Sequence, residues 1–112
     1  MSDDAVRMAR TEALFRNVNE RIAESAARFY SDSTEFVCEC SDQECTDRVE
    51  ATLAEYEEVR SHSTRFLLTP GHEDTRIEQV VERRGTRHAV VEKVHKLIAQ
   101  TVSRLDPRAS QA

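Results

Sequence analysis

The sequence has no tryptophan, two glycines (Gly71 and Gly85) and two prolines (Pro70 and Pro107) in 112 residues. Two isolated glycines cannot build a glycine-rich phosphate-binding loop, and no nucleophile elbow or His-Glu-x-x-His pattern is present. No apolar run approaches the ~20 residues of a membrane-spanning helix. The N-terminal stretch MSDDAVRMARTEALF lacks the apolar segment and cleavage site of a secretory signal, so a cytoplasmic protein is the expectation. Apolar residues make up only 38% of the chain and charged residues 33%. A core that lean leaves one domain spanning residues 1–112 marginally stable, and a local staple would help it.

Positive charge is also scarce where a polyanion would need it. Residues 1–59 hold 6 Lys/Arg against 15 Asp/Glu, a balance of −9; residues 60–112 hold 10 against 6, or +4, which together give the net −5. An acidic chain is a poor generic nucleic-acid binder. A weaker nucleic-acid reading rests on Arg83, Arg84, Arg87, Lys93 and Lys96, in a stretch that a solvated hairpin with scattered charge explains better.

The chain does have a cluster. All its cysteines, Cys38, Cys40 and Cys45, fall within eight positions of FVCECSDQEC. In a reducing compartment such clustering points to metal ligands or redox groups before structural disulfides. Cys38 and Cys40, two apart on an extended segment, share a face, and the turn 41–44 can return Cys45 beside them. Zinc takes four ligands in a tetrahedron, and Cys3His is one of its usual closed sets. His62, His72, His88 and His95 compete for the fourth place. His72 is favoured because it follows the Pro70-Gly71 turn, which can swing its ring toward a remote ligand set; His62, in a loop, is second. Against the metal stand a Cys40–Cys45 disulfide with Cys38 free, a redox thiol group, and inert buried cysteines, although Glu39, Ser41, Asp42, Gln43 and Glu44 make the loop polar. An iron–sulfur cluster fits less well than Zn2+, since the further motifs of three-cysteine, one-histidine [2Fe–2S] proteins are missing.

Periodicity outlines an α+β fold: a long N-terminal helix packed on a small antiparallel sheet that carries the Cys3His zinc site. The helix is expected over about 4–30, with Leu14, Val18, Ile22 and Phe29, joined by Phe15 and Ala26, as its inward stripe. The zinc-bearing sheet region should span about 34–94. Within it TEFVCEC and RVEATL read as strands, and Thr52 with Glu55 forms a capping box before a short helix in which Leu53, Tyr56 and Val59 face inward. RFLLT is a strand stopped by Pro70-Gly71, and two strands should flank Gly85, with a helix as the competing reading of 73–84. A C-terminal helix is expected over about 94–105, with Val94, Leu97, Ile98, Val102 and Leu105 at helical spacing, closed by Asp106-Pro107. The last residues read as a frayed tail.

Across nearly its whole length the chain resembles a group of small uncharacterised actinobacterial proteins. The stretches that carry the resemblance are LFRNVNERIAE (14–24), FVCECSDQECTDRVEATLAEYEEVR (36–60), RFLLTPGHE (65–73), VVER (80–83), AVVEK (89–93) and DPR (106–108). The resemblance implies that the three cysteines and the histidine after Pro-Gly belong to one motif, which strengthens His72 as the fourth ligand. It implies no reaction. The segment 94–102 is more apolar than the group's pattern, which leaves the use of the C-terminal helix, and dimerisation through it, open.

With four protein ligands a metal site is closed, and no cysteine nucleophile remains, so the expectation is a protein without enzymatic activity. The expected role is a zinc-stabilised intracellular regulatory or protein-interaction module, with a protein partner or self-association through the helix and no membrane. The alternative is a thiol/zinc redox sensor.

Overall fold

The computed structural model describes residues 2–29 and 32–108. The elements run α1 (Ser2–Arg28), β1 (Thr34–Val37), β2 (Arg48–Ala51), α2 (Leu53–Arg60), β3 (Arg65–Leu68), β4 (Glu78–Arg84), β5 (His88–Lys93) and α3 (Lys96–Arg104). The expected α+β order is present. Of the frayed tail expected over 107–112, residues 109–112 fall outside the described residues, whereas Arg108 is held by Glu20 and Glu57.

There are two antiparallel sheets rather than one. β1 pairs with β2, placing Phe36 opposite Val49; a second sheet has the order β3-β5-β4, with Phe66 opposite Val91. The competing helix over 73–84 does not form. Its residues instead supply β4, which pairs with β5 through a register shift between Val80 and Glu82 and leaves Val81 exposed. Tertiary pairing decides between helix and strand where local propensity is ambiguous. The two sheets are joined where the chain leaves β1: the Glu39 N–H donates to the Leu67 carbonyl at 2.8 Å, and the Leu67 N–H donates to the Glu39 carboxylate at 2.9 Å.

α2 begins as its sequence dictates. The Thr52 side chain accepts from the Glu55 N–H at 3.0 Å, and the Glu55 carboxylate accepts from the Thr52 N–H at 2.8 Å. Such reciprocal caps contribute about 1 kcal/mol. Tyr56 and Val59 are buried, and the Tyr56 ring stacks on Phe36 with centroids 4.6 Å apart.

Only part of the expected stripe faces inward along α1: Ala26 is buried and Ile22 packs, half-buried, against the core. Leu14 and Phe29 are 62% and 76% exposed, while the centre of the buried face, flanked by Thr11 and Ala13, runs Ala5, Ala9, Glu12, Arg16, Asn19, Ala23 and Ala26. These recur at alternating spacings of four and three, so the period was legible; the choice of face was not. Small alanines let the helix approach closely. The polar members each meet a partner: Arg16 donates to the carbonyls of Ser63 and Val102 at 2.7 Å and lies over the Phe66 ring, and Glu12 meets the buried Lys93 ammonium, which also meets Glu78. Asn19 acts as one more strand residue, accepting from the Val37 N–H and donating to the Val37 carbonyl, both at 2.8 Å.

In α3, Ile98 and Val102 are buried, whereas Val94 and Leu105, expected on the same stripe, are 53% and 39% exposed. Both lie beyond the helix ends, where the 3.6-residue rotation no longer applies. No helix among the described residues is long and apolar enough to cross a membrane.

Candidate metal centre

The three cysteines lie on one loop between β1 and β2, and the histidine lies on the turn after β3. β1 ends at Val37, and the Cys38 N–H still donates to the Asp47 carbonyl at 3.1 Å, closing the loop at its base. Glu39, fully buried, points inward to Asn19 and Leu67, which fixes the Cys38–Cys40 segment on both sides. The return to Cys45 is an Asx turn: the Asp42 carboxylate accepts from the Glu44 N–H at 3.0 Å, and the Asp42 carbonyl accepts from the Cys45 N–H at 3.0 Å.

His72 arrives by a turn that only this local sequence makes easily. Pro70 presets the second position, Gly71 adopts φ +94° at the third, and the His72 N–H donates to the Thr69 carbonyl at 3.0 Å. That is the pattern of a type II turn, whose third position favours glycine.

Together these segments place one donor atom each from Cys38, Cys40, Cys45 and His72 within 4.8 Å of one another. Nδ1 of His72 lies 3.6 Å from the Cys38 sulfur and 3.7 Å from the Cys45 sulfur. Cys38 and Cys40 are buried, Cys45 is half-buried, and the imidazole is about one-third exposed, with its side chain at 35%. The cysteines are free thiols, so no Cys40–Cys45 disulfide is present. The other histidines sit elsewhere in the fold: His88 contacts the Glu50 carbonyl through Nδ1 at 2.8 Å, His95 caps the N-terminus of α3, and His62 is exposed in the loop before β3.

Two groups that the sequence reading passed over complete the geometry. Nε2 of His72 lies 3.2 Å from Oδ2 of Asp47, and the Thr69 N–H donates to the Cys38 sulfur at 3.2 Å. A carboxylate on the far nitrogen holds a ligating imidazole in orientation and leaves Nδ1 free to face the sulfurs. Nothing in the sequence separates Asp47 from Asp42 or Glu44 beyond its place two residues after Cys45.

The three thiols differ in how readily each gives up its proton. The Cys38 thiol is pulled down to about 5, first by its hydrogen bond with Cys40, against burial, and with Thr69 helping. Cys40 is pushed up, first by its hydrogen bond with Cys38 and then by burial, and Cys45 is pushed up, first by burial. Three thiolates side by side repel one another, so a bound cation is what allows all three protons to leave. The group is therefore suited to a metal ion, as its donor chemistry requires.

No family model matches the chain, no curated protein is significantly similar to it, and no solved structure matches it.

Beside the cluster, an open cleft of about 620 Å³ is lined by Cys40, Ser41, Asp42, His72, Glu73, Asp74, Thr75 and Arg76. Its charged members are engaged: Arg76 pairs with Asp74 at 2.7 Å, and Glu73 accepts from the Gly71 N–H and from Arg83. Four of the five proposed nucleic-acid residues are occupied as well, and Lys96 is exposed without an ion pair among the described residues. Arg83 sits on Glu73, Arg84 on Glu82 and Glu55, Arg87 on Glu55, and Lys93 is buried between Glu12 and Glu78.

Proposed function

We propose that Cys38, Cys40, Cys45 and His72 bind one Zn2+ as a closed structural site, and that the chain is a non-enzymatic, cytoplasmic protein-interaction or regulatory module held together by it. The observation that carries this reading is the convergence of three sulfurs and one imidazole nitrogen from two loops. Zinc–sulfur bonds of about 2.3 Å and zinc–nitrogen bonds of about 2.0 Å at tetrahedral angles separate sulfur from nitrogen by about 3.5 Å. The separations here are 3.6 and 3.7 Å. Thiolate-rich tetrahedral sets favour zinc over the oxygen-seeking divalent ions. With all four positions taken by protein, the ion supplies folding free energy and not a water for catalysis. Membership of the small actinobacterial group that the sequence resembles is part of the same proposal.

The half-buried Cys45 favours a second reading, in which oxidation of the cluster releases the metal. A nucleic-acid partner is the weakest option, because Arg83, Arg84 and Arg87 already pair with carboxylates.

Metal analysis of protein purified without added metal, beside a native mass spectrum, should report one zinc per chain. Cys38→Ala should lose the metal and the cooperative melt; a variant that keeps both its Tm and its cooperativity would overturn the staple. Mild peroxide treatment decides the second reading, which falls if no zinc is released.

A further inference from the structure

Counted along the chain, the first half of this protein is acidic, yet the outer face of its longest helix is basic. Two of the helix's carboxylates are used inward or sideways, Glu12 meeting Lys93 and Glu20 accepting from Tyr56, Arg60 and Arg108, while Asp4 and Glu24 are exposed. Its arginines, apart from Arg16, turn outward. Positions 7, 14, 21 and 28 drift by only about 20° per seven residues, so they form one line about 32 Å long. That line and its flank hold Arg7, Arg10, Leu14, Val18, Arg21 and Arg28, all exposed. Arg7 pairs with Asp4 at 2.6 Å, while Arg10, Arg21 and Arg28 form no ion pair among the described residues, although the exposed Glu24 lies within one turn of Arg21 and Arg28. The contrast is with Arg76, Arg83, Arg84 and Arg87, each of which sits on an acid.

Apolar surface is interleaved with this charge. Leu14, Val18 and Phe29 are 62%, 40% and 76% exposed, three of the six large apolar side chains left exposed among the described residues. A cavity of about 570 Å³ opens between Val6, Arg7, Arg10, Thr11 and Leu14 on the helix and Gln43 at the tip of the cysteine loop. It offers a socket for one apolar side chain, walled by the segment that the metal would hold in place.

We propose that the outer face of α1 docks an acidic amphipathic helix of another protein, with Arg10, Arg21 and Arg28 meeting its carboxylates and Leu14 and Val18 meeting its apolar residues. The proposal deepens the interaction-module reading by naming the partner's chemistry. Charge complementarity selects an acidic partner. The apolar component selects protein over nucleic acid, since a phosphate backbone would leave Leu14, Val18 and Phe29 wet, and the net −5 of the chain opposes a long polyanion. A lipid surface would call for a broader apolar band than these side chains provide.

The probe is a labelled synthetic peptide of about 21 residues, helical through alanine and leucine, with glutamate at every third or fourth position. Its anisotropy is titrated with the full chain at ~50 and ~200 mM salt, beside a duplex of about 20 base pairs and phosphatidylcholine vesicles carrying about 30% phosphatidylserine. The peptide should bind, about ten-fold more weakly at the higher salt. The R10E/R21E/R28E variant should bind it about 30-fold more weakly, and Leu14→Ala about five-fold more weakly at either salt. Both variants alter exposed side chains, and their melts and metal content should match the parent. Failure of the peptide to bind, equal binding by the charge-reversed variant, or tighter binding of the duplex or the vesicles would overturn the proposal. Peptide binding by protein purified without added metal, in which metal analysis finds no zinc, would leave this inference standing and remove the zinc reading.

Discussion

Asp47 and His72, 25 positions apart in the sequence, meet at 3.2 Å between Oδ2 and Nε2, on the side of the imidazole that faces away from the sulfurs. The contact fixes the ring's direction and leaves Nδ1 as the inward nitrogen. Loss of such a carboxylate typically weakens metal binding about 10- to 100-fold. Asp47→Ala should therefore lower zinc affinity by that order in a competition titration against a chromophoric chelator, while Asp47→Asn, which keeps an accepting oxygen, should lose less. Affinities indistinguishable from the parent would show that the contact does not orient the ligand.

The turn that delivers His72 can be tested separately. Gly71 has φ +94°, and a Cβ built there would meet nothing within 4 Å. The penalty of Gly71→Ala is thus one of backbone strain alone, about 1–2 kcal/mol. Urea denaturation at saturating metal should show a loss of that size, and an unchanged midpoint would mean that the turn relaxes without strain.

Burial of Glu12 makes stability depend on pH. Its carboxyl is pushed up to about 7, first by burial, with Lys93 opposing and Glu78 and Glu39 reinforcing. One ammonium serves two carboxylates here, and Oε1 of Glu12 has no hydrogen-bond partner. A folded-state value above the unfolded one means that the native state holds the proton more tightly. Its contribution is complete below about 4.5 and is lost as pH rises toward about 7. Glu39, also pushed up to about 7 by burial, acts with the same sign. The melting temperature should accordingly fall across this window. Glu12→Gln, which keeps the amide neutral, should flatten part of that fall; an identical slope in the variant would exclude Glu12 as a source.

The orientation of α1 predicts opposite outcomes at two of its positions. Leu14 is 62% exposed, so Leu14→Ala should change stability by less than about 0.5 kcal/mol. Ala9 is fully buried against the core, so Ala9→Leu should cost about 1–3 kcal/mol by overpacking. Thermal melts of the pair would distinguish this face from the leucine-bearing one.

Features whose cause is local were legible in the sequence. The Thr52–Glu55 capping box, the Pro70-Gly71 turn, the Asp42 turn and the clustering of the cysteines each depend on a few neighbouring residues, and these local features read directly. His72 was readable for the same reason, because the turn that carries it is written beside it. Asp47 was not, since its partner arrives from another loop.

The amino-acid order alone determined where α2 begins, where the Pro70-Gly71 turn falls and which side chains could bind a metal, because capping, turn geometry and thiol chemistry act over a few bonds. Only the tertiary structure decided that residues 78–84 become a strand, through pairing with β5, and which side of α1 turns inward. A stripe containing Glu12, Arg16 and Asn19 can be buried because Lys93, the Ser63 and Val102 carbonyls and the Val37 peptide group come from distant segments to satisfy it. A polar group is cheap to bury only once its partner is in place, and that partner exists only in the folded chain.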